Sequence, residues 1–308
     1  MQTVLSKLFR DIEADLGTHK FSLLVLDALK DALLQYEFRN STQFKKQLLN
    51  IFQLLQMTRP RYAILLNSFY KILEVNDKTN YKSKISELVK TIDRISASYQ
   101  LEKLQLVRNA QEIDVHNKHI LIHDQSSAVR STLDAMKQQS DNFSVIVAGQ
   151  DAEKTESNIV FLYNHNIDHK VVPSHMLSHV EKVVDMVFLG AVTIQQNYNF
   201  IMDPGSRGII SQFKLEKKPI YVFLTTSKFS LWPLTDKSQE SYYNQMQKSH
   251  RLQQEIKFSL LKFSHDRVSV DLVDYIVTEK GIFTPDELKD VYDDMFKKRK
   301  KERRKYLG

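Results

Sequence analysis

Three aspartates, Asp124, Asp151 and Asp203, are predicted in loops at the ends of β-strands, the place where α/β proteins put their chemistry, the last of the three in the long loop after the strand at 186–189. A carboxylate pair there could exchange a proton with a substrate or hold Mg²⁺, and acids in such loops also serve as helix caps. His123 stands directly before the first of them. The run His123-Asp124-Gln125-Ser126-Ser127 offers serines to the start of a helix, and Pro204-Gly205-Ser206 offers a second helix start after a later strand. Two helix amino termini at strand ends can form an anion pocket, because free N–H groups and the helix dipole both favour negative charge. Ordinary capping without a ligand accounts for the same residues.

Four histidines, His165, His169, His175 and His179, fall within fifteen residues, and the last two have helical i, i+4 spacing. Such a pair could chelate zinc, but no Glu lies between them in an H-E-x-x-H arrangement and the chain has no cysteine to complete a tetrahedral site. Surface or crevice histidines are expected, with no metal and no cofactor. Only Gly205-Ser-Arg-Gly208 approaches a dinucleotide fingerprint, and no G-x-x-x-x-G-K-[ST] exists, which disfavours NAD-type and P-loop enzymes.

The elements that must position these residues follow from hydrophobic periodicity. Residues 1–112 are expected to form a helical domain. A first stripe (Leu5, Leu8, Phe9, Ile12, Leu16) ends at Gly17, Thr18 can cap the next helix, and Ser41 or Thr42 restarts the pattern. Thr58-Arg59-Pro60 breaks the chain, and residues 76–80 read as a loop before a long helix through Leu104. Over 113–308, short β-branched runs alternate with helical segments, which implies a Rossmann-like α/β domain. Strands are predicted at 119–123, 144–148, 170–172, 186–189, 220–224 and 273–277, with helices beginning near Ser126, Thr155, His175 and Gly205.

Bulk composition narrows the classes further. A content of 42% hydrophobic and 26% charged residues excludes disorder. The longest apolar stretches, 21–26 and 186–194, fall far below the roughly 20 residues a bilayer demands. The amino terminus lacks the pattern of a secretory signal, so a cytoplasmic protein with no membrane partner is expected. Residues 297–305 (KKRKKERRK) hold eight bases and one acid, which equals the whole chain's net charge of +7. Either this is the solvated end of a last helix, or Lys297, Lys298, Arg299, Lys300, Lys301, Arg303, Arg304 and Lys305 dock electrostatically on RNA, ribosome or an acidic protein. In the second case, truncation after Met295 should remove binding and leave the fold intact.

Four ordered segments, ILIHDQSSAVRSTL, VDMVFLGAVTIQQNYNFIMDPGS, PIYVFLTTSKF and VDYIVTEKGIFTPDEL, resemble the family of translation initiation factor 2B regulatory subunits, ribose-1,5-bisphosphate isomerase and methylthioribose-1-phosphate isomerase. The resemblance covers nearly the whole second domain and extends to Gly17 and TRPRYAILLNSFYKI in the first. It implies a helical amino-terminal domain on a Rossmann-like domain, and association into a homodimer or higher oligomer through the latter.

The resemblance also implies an acid/base couple of cysteine and aspartate in the isomerases, and here Asp124 and Val192 occupy those positions. Asp151 and Asp203 stand where the isomerases place an arginine and a lysine. Arg59, Asn67, Ser126, Ser127, Asn197, Gly205, Ser206 and Lys228 are kept as ligand-binding candidates for a phosphorylated sugar or nucleotide. A non-catalytic regulatory or metabolite-binding protein is the leading expectation. An enzyme with its chemistry reassigned to Asp124, Asp203 and His123 is the alternative, and an RNA- or ribosome-associated protein acting through the basic tail is the third.

Overall fold

The computed structural model describes residues 2–58, 61–74, 81–139, 142–234, 248–251, 257–260, 263 and 265–307. Four helices open the chain: α1 (Gln2–Gln35), α2 (Ser41–Met57), α3 (Ala63–Glu74) and α4 (Tyr81–Ala110). Gly17 interrupts α1 with φ 75° and ψ 155°, backbone angles outside the helical basin that glycine adopts without Cβ strain. Asn40 caps α2 by accepting Gln43 N at 2.9 Å, so the expected caps Ser41 and Thr42 lie just inside the helix. The helices close over Phe21, Leu26, Phe44, Phe52, Phe69, Leu88 and Ile92. Arg59 and the predicted loop at 76–80 lie outside the described residues.

The α/β region follows with β1 (Lys118–Ile122), α5 (Ser127–Gln139), β2 (Phe143–Gly149), α6 (Ala152–Asn164), β3 (Asp168–Pro173), β4 (Met186–Gly190), β5 (Thr193–Ile194), β6 (Asn199–Met202), α7 (Ser206–Leu215) and β7 (Ile220–Phe223). It continues with β8 (Lys248–Arg251), β9 (Lys257–Leu260), β10 (Asp266–Ser269), β11 (Tyr275–Thr278), β12 (Gly281–Phe283) and α8 (Pro285–Leu307). All six predicted strands form, in a seven-stranded sheet ordered β12-β11-β7-β4-β1-β2-β3 whose pairs are parallel except β11 with β12. Strands such as Met186–Gly190 are buried along their whole length, as a parallel sheet covered on both faces requires. Chain order reverses between β1 and β4, and that switch point is where open α/β sheets bind ligands.

One prediction fails here. The segment expected as a helix near His175 is a 3-10 turn, Ser174–His179, in which residues four apart point about 120° away from each other, so His175 and His179 lose their shared face. A small antiparallel sheet, β10-β6-β5, was also unforeseen.

The helical and α/β regions interlock. Trp232 lies in the helical core, and Asn67 Nδ2 on α3 donates to the carbonyls of Ser227 and Phe229 at 3.0 Å each. The last helix starts on a capping box, with Thr284 N donating to Glu287 Oε2 at 2.8 Å, and it carries the basic run to Leu307 as helix. Arg299 is only 8% exposed: its guanidinium lies 4.8 Å from the Tyr70 ring centroid on α3 and 3.2 Å from Glu302. The run is therefore not simply a solvated end. Arg299→Ala should cost about 1–2 kcal/mol in urea unfolding through lost cation–π and stem packing, whereas Lys300→Ala should stay within about 0.5 kcal/mol. Equal effects of the two would refute the anchoring role.

Candidate functional site at the switch point

Asp124 leaves the end of β1 and spans the switch point. Its Oδ2 accepts the amide of Gly190, the last residue of β4, at 2.6 Å, and its Oδ1 accepts Ser126 N at 3.1 Å. The side chain is buried. Burial first, and then the Asp203 carboxylate, push the Asp124 carboxyl above the ordinary aspartate range against the pull of the two amides. A Cβ added to Gly190 would stand 2.3 Å from Ser126 Oγ, so only glycine lets β4 approach the start of α5 this closely.

His123 is buried beside Asp124, and both ring nitrogens are committed to protein partners. Nδ1 lies 3.3 Å from Ala148 O, while Nε2 lies 2.9 Å from Pro204 O and 2.7 Å from the Gln150 amide. Gly205, at φ 97°, passes so close that an added Cβ would sit 2.9 Å from His123 Nε2. The neighbouring depression, about 390 Å³, is lined by residues that include Gly149, Gln150, Asp151, Thr155, Pro173 and His175.

The three strand-end aspartates, Asp124, Asp151 and Asp203, share the field of one cation, Lys154. Lys154 Nζ bonds Asp203 Oδ2 at 2.6 Å. Burial, the largest single influence, would lower its ammonium, but Asp203, Asp151 and Asp124 together outweigh it, so the net shift is upward. Asp151 is the exposed cap of α6, accepting Lys154 N at 2.8 Å. Lys154 thus places a positive charge one helical turn beyond the position where the resemblance implies an arginine.

The remaining candidates divide. Ser126 Oγ accepts Val129 N at 3.4 Å at the head of α5, and Ser127 is that helix's first residue. At the head of α7, the amides of Gly205 and Arg207 donate to Asp266 Oδ2 at 3.0 and 2.9 Å, while Ser206 Oγ is buried with no partner among the described residues. Lys228 Nζ donates to Ala191 O at 2.9 Å, so the Gly190-Ala191 segment is gripped by Asp124 on one side and Lys228 on the other. Val192 is half-buried next to it. Asn67 ties α3 to the loop bearing Lys228. Asn197 sits apart, exposed in the β5–β6 turn, and Arg59 lies outside the described residues.

Where the helices meet this loop, two titratable groups are displaced. Burial, then Lys228 and Lys103, lower His19 to about 4. Burial, then Glu279, raise Glu102 to about 7, with Ser227, Lys71 and Lys280 opposing. Glu279 itself accepts Thr226 N at 2.9 Å and the Thr226 hydroxyl. Sequence reasoning missed Gln150, Lys154, Glu102 and Asp266. Lys154 carried a signal, a lysine one turn after a helix cap, whereas Asp266 carried none, because it reaches α7 from about 60 residues away.

Comparison with known proteins bears on this arrangement. The chain is 21% identical over 231 residues to the translation initiation factor eIF2B subunit delta of Dictyostelium discoideum, covering 69% of this chain and 37% of that relative's length. The crystal structure of the tetrameric eIF2B beta2-delta2 complex from C. thermophilum superposes with a TM-score of 0.72 at 17% identity, covering 95% of this chain and 93% of the other. That of the Pyrococcus horikoshii translation initiation factor eIF-2B gives 0.70 at 16% identity, covering 91% and 96%. At such identities these two likenesses establish the fold. The sequence model of the initiation factor 2 subunit family matches residues 16–285, most of the chain, and the chain belongs to that family.

Proposed function

We propose that the chain is a non-catalytic, eIF2B-subunit-like regulatory protein, working in the cytoplasm in a homodimer or larger assembly formed through its α/β region. The observation that carries this reading is the state of Asp124. Both its oxygens are held by main-chain amides across the switch point, so the side chain acts as a tie between β1 and β4. Val192, at the other position of the isomerases' acid/base couple, has no proton to transfer. Among the described residues, no helix is long and apolar enough to cross a membrane, which accords with this setting.

The test is direct: purified protein is incubated with ribose 1,5-bisphosphate and with methylthioribose 1-phosphate. No turnover is expected. Turnover at an enzymatic rate, lost in Asp124→Ala with the fold intact by circular dichroism, would overturn the proposal. A monomer in light scattering would remove the assembly from it.

One observation favours a second reading, that of an enzyme of sugar-phosphate isomerase or other type acting on a phosphorylated sugar or nucleotide. The Asp124 carboxyl is raised, and it lies beside His123 and within the field of Asp203, as a carboxylic acid poised to donate would. An activity lost in both Asp124→Asn and His123→Ala, with binding retained, would establish it over the first.

A further inference from the structure

The last helix changes sign along its length: Asp286, Glu287, Asp290, Asp293 and Asp294, with Lys289 paired to Asp271 and Asp286 among them, precede the basic run that begins at Lys297. Leu288, Tyr292 and Arg299 form its buried face. At 100° per residue, Lys297 and Lys301 lie opposite that face, with Lys298 and Lys300 flanking them on either side, and all four are exposed. Lys297 lies 3.8 Å from Asp294 with both side chains well out in solvent, and Lys298, Lys300 and Lys301 make no ion pair among the described residues. The Arg299 contact with Tyr70 fixes the helix against α3, so these charges are carried on a packed element.

We propose that the outward face of the C-terminal turns of α8, from Lys297 on, beyond the acids of its first half, is a docking surface for the phosphate backbone of RNA, read without regard to sequence. Lysine is depleted in protein–protein interfaces, whose centres need aromatic, Met or Arg anchors, and this face has no apolar side chain among its four lysines. A lipid surface would need an apolar stripe to bury, and the apolar side of this helix is turned into the fold. A line of phosphates needs only positioned cations, and a packed helix supplies them with little ordering cost. The inference stands independently of whether the switch-point crevice is regulatory or catalytic.

The experiment measures anisotropy of a fluorescein-labelled oligouridylate titrated with the full chain. Displacement of the counterions of about four phosphates on a single strand predicts a log–log salt slope near −3, hence about 50-fold weaker binding at about 200 mM than at about 50 mM salt. Replacing Lys297, Lys298, Lys300 and Lys301 together by Gln should weaken binding at least about tenfold and flatten the slope. A charge-matched variant with Lys45, Lys46, Lys182 and Lys217 changed to Gln, all exposed on other parts of the chain, should stay within about twofold of wild type. Circular dichroism confirms that both variants fold. The proposal is overturned if wild type fails to bind at low salt, if the two variants behave alike, or if polyglutamate or anionic vesicles bind better than the oligouridylate.

Discussion

Gly190→Ala lowers the stability of the chain by about 3 kcal/mol, an apparent melting shift of about 5 °C for a chain of this length. The new Cβ would lie 2.3 Å from Ser126 Oγ and 2.4 Å from Ser126 Cβ, distances that no side-chain rotation relieves, since the second atom is fixed to the start of α5. Relief requires β4 and α5 to part, which stretches the 2.6 Å bond from Gly190 N to Asp124. Overpacking accounts for about 1–3 kcal/mol and the weakened buried hydrogen bond for about 1 more. Adding Ser126→Gly to the same chain removes the obstructing atoms and should return most of the loss, and urea midpoints of the four chains in the cycle measure it. An unchanged midpoint in Gly190→Ala, or no rescue, would contradict the close approach described at the switch point.

The second large effect is a pH dependence at the junction of the helices with the sheet. The Glu102 carboxyl is raised from 4.5 to about 7 in the folded chain, so it keeps a proton there that the unfolded chain has released. The unfolded state then binds fewer protons across that interval, and stability falls as pH rises. The contribution is fully present below about pH 4.5 and is lost through about pH 7. Allowing for partial solvent access, the amplitude is about 2 kcal/mol. Glu102→Gln holds the neutral form at every pH, so it should be more stable than wild type by about that amount at about pH 8 and indistinguishable near pH 4.5. Unfolding curves at several pH values check this, and parallel profiles for the two chains would refute it. Glu279, which supplies the repulsion while holding Thr226, should be left intact in the comparison.

The framework was legible in the sequence because its signals are local. Runs such as Ile120-Leu121-Ile122 and Val145-Ile146-Val147 are rich in β-branched residues, apolar and short, and each lies in a strand at or near its predicted limits. The loops after β1 and β4 were located by the same logic. What those loops bond to was not legible, since it depends on chain segments far apart. Asp124 meets Gly190 across 66 residues, and the tightness that demands a glycine there exists only once α5 and β4 are side by side. The β5–β6 hairpin escaped notice because strands of two and four residues carry too little periodicity, and its turn rests on Tyr198 in the left-handed region at φ 55°. Arg299 was grouped with its basic neighbours because composition alone does not show which member of a charged run faces an aromatic ring.

The carboxylate of Asp266 at the head of α7 makes the chain its own tenant at the place where a diffusible anion would be most at home. A group tethered in this way confronts any newcomer at an effective concentration of millimolar or more, on the order of that found for short linkers. A phosphoryl group entering there has to evict a resident that never diffuses away, so an acidic side chain one strand over, rather than the glycines and serines of the loop itself, governs what that helix end can accept.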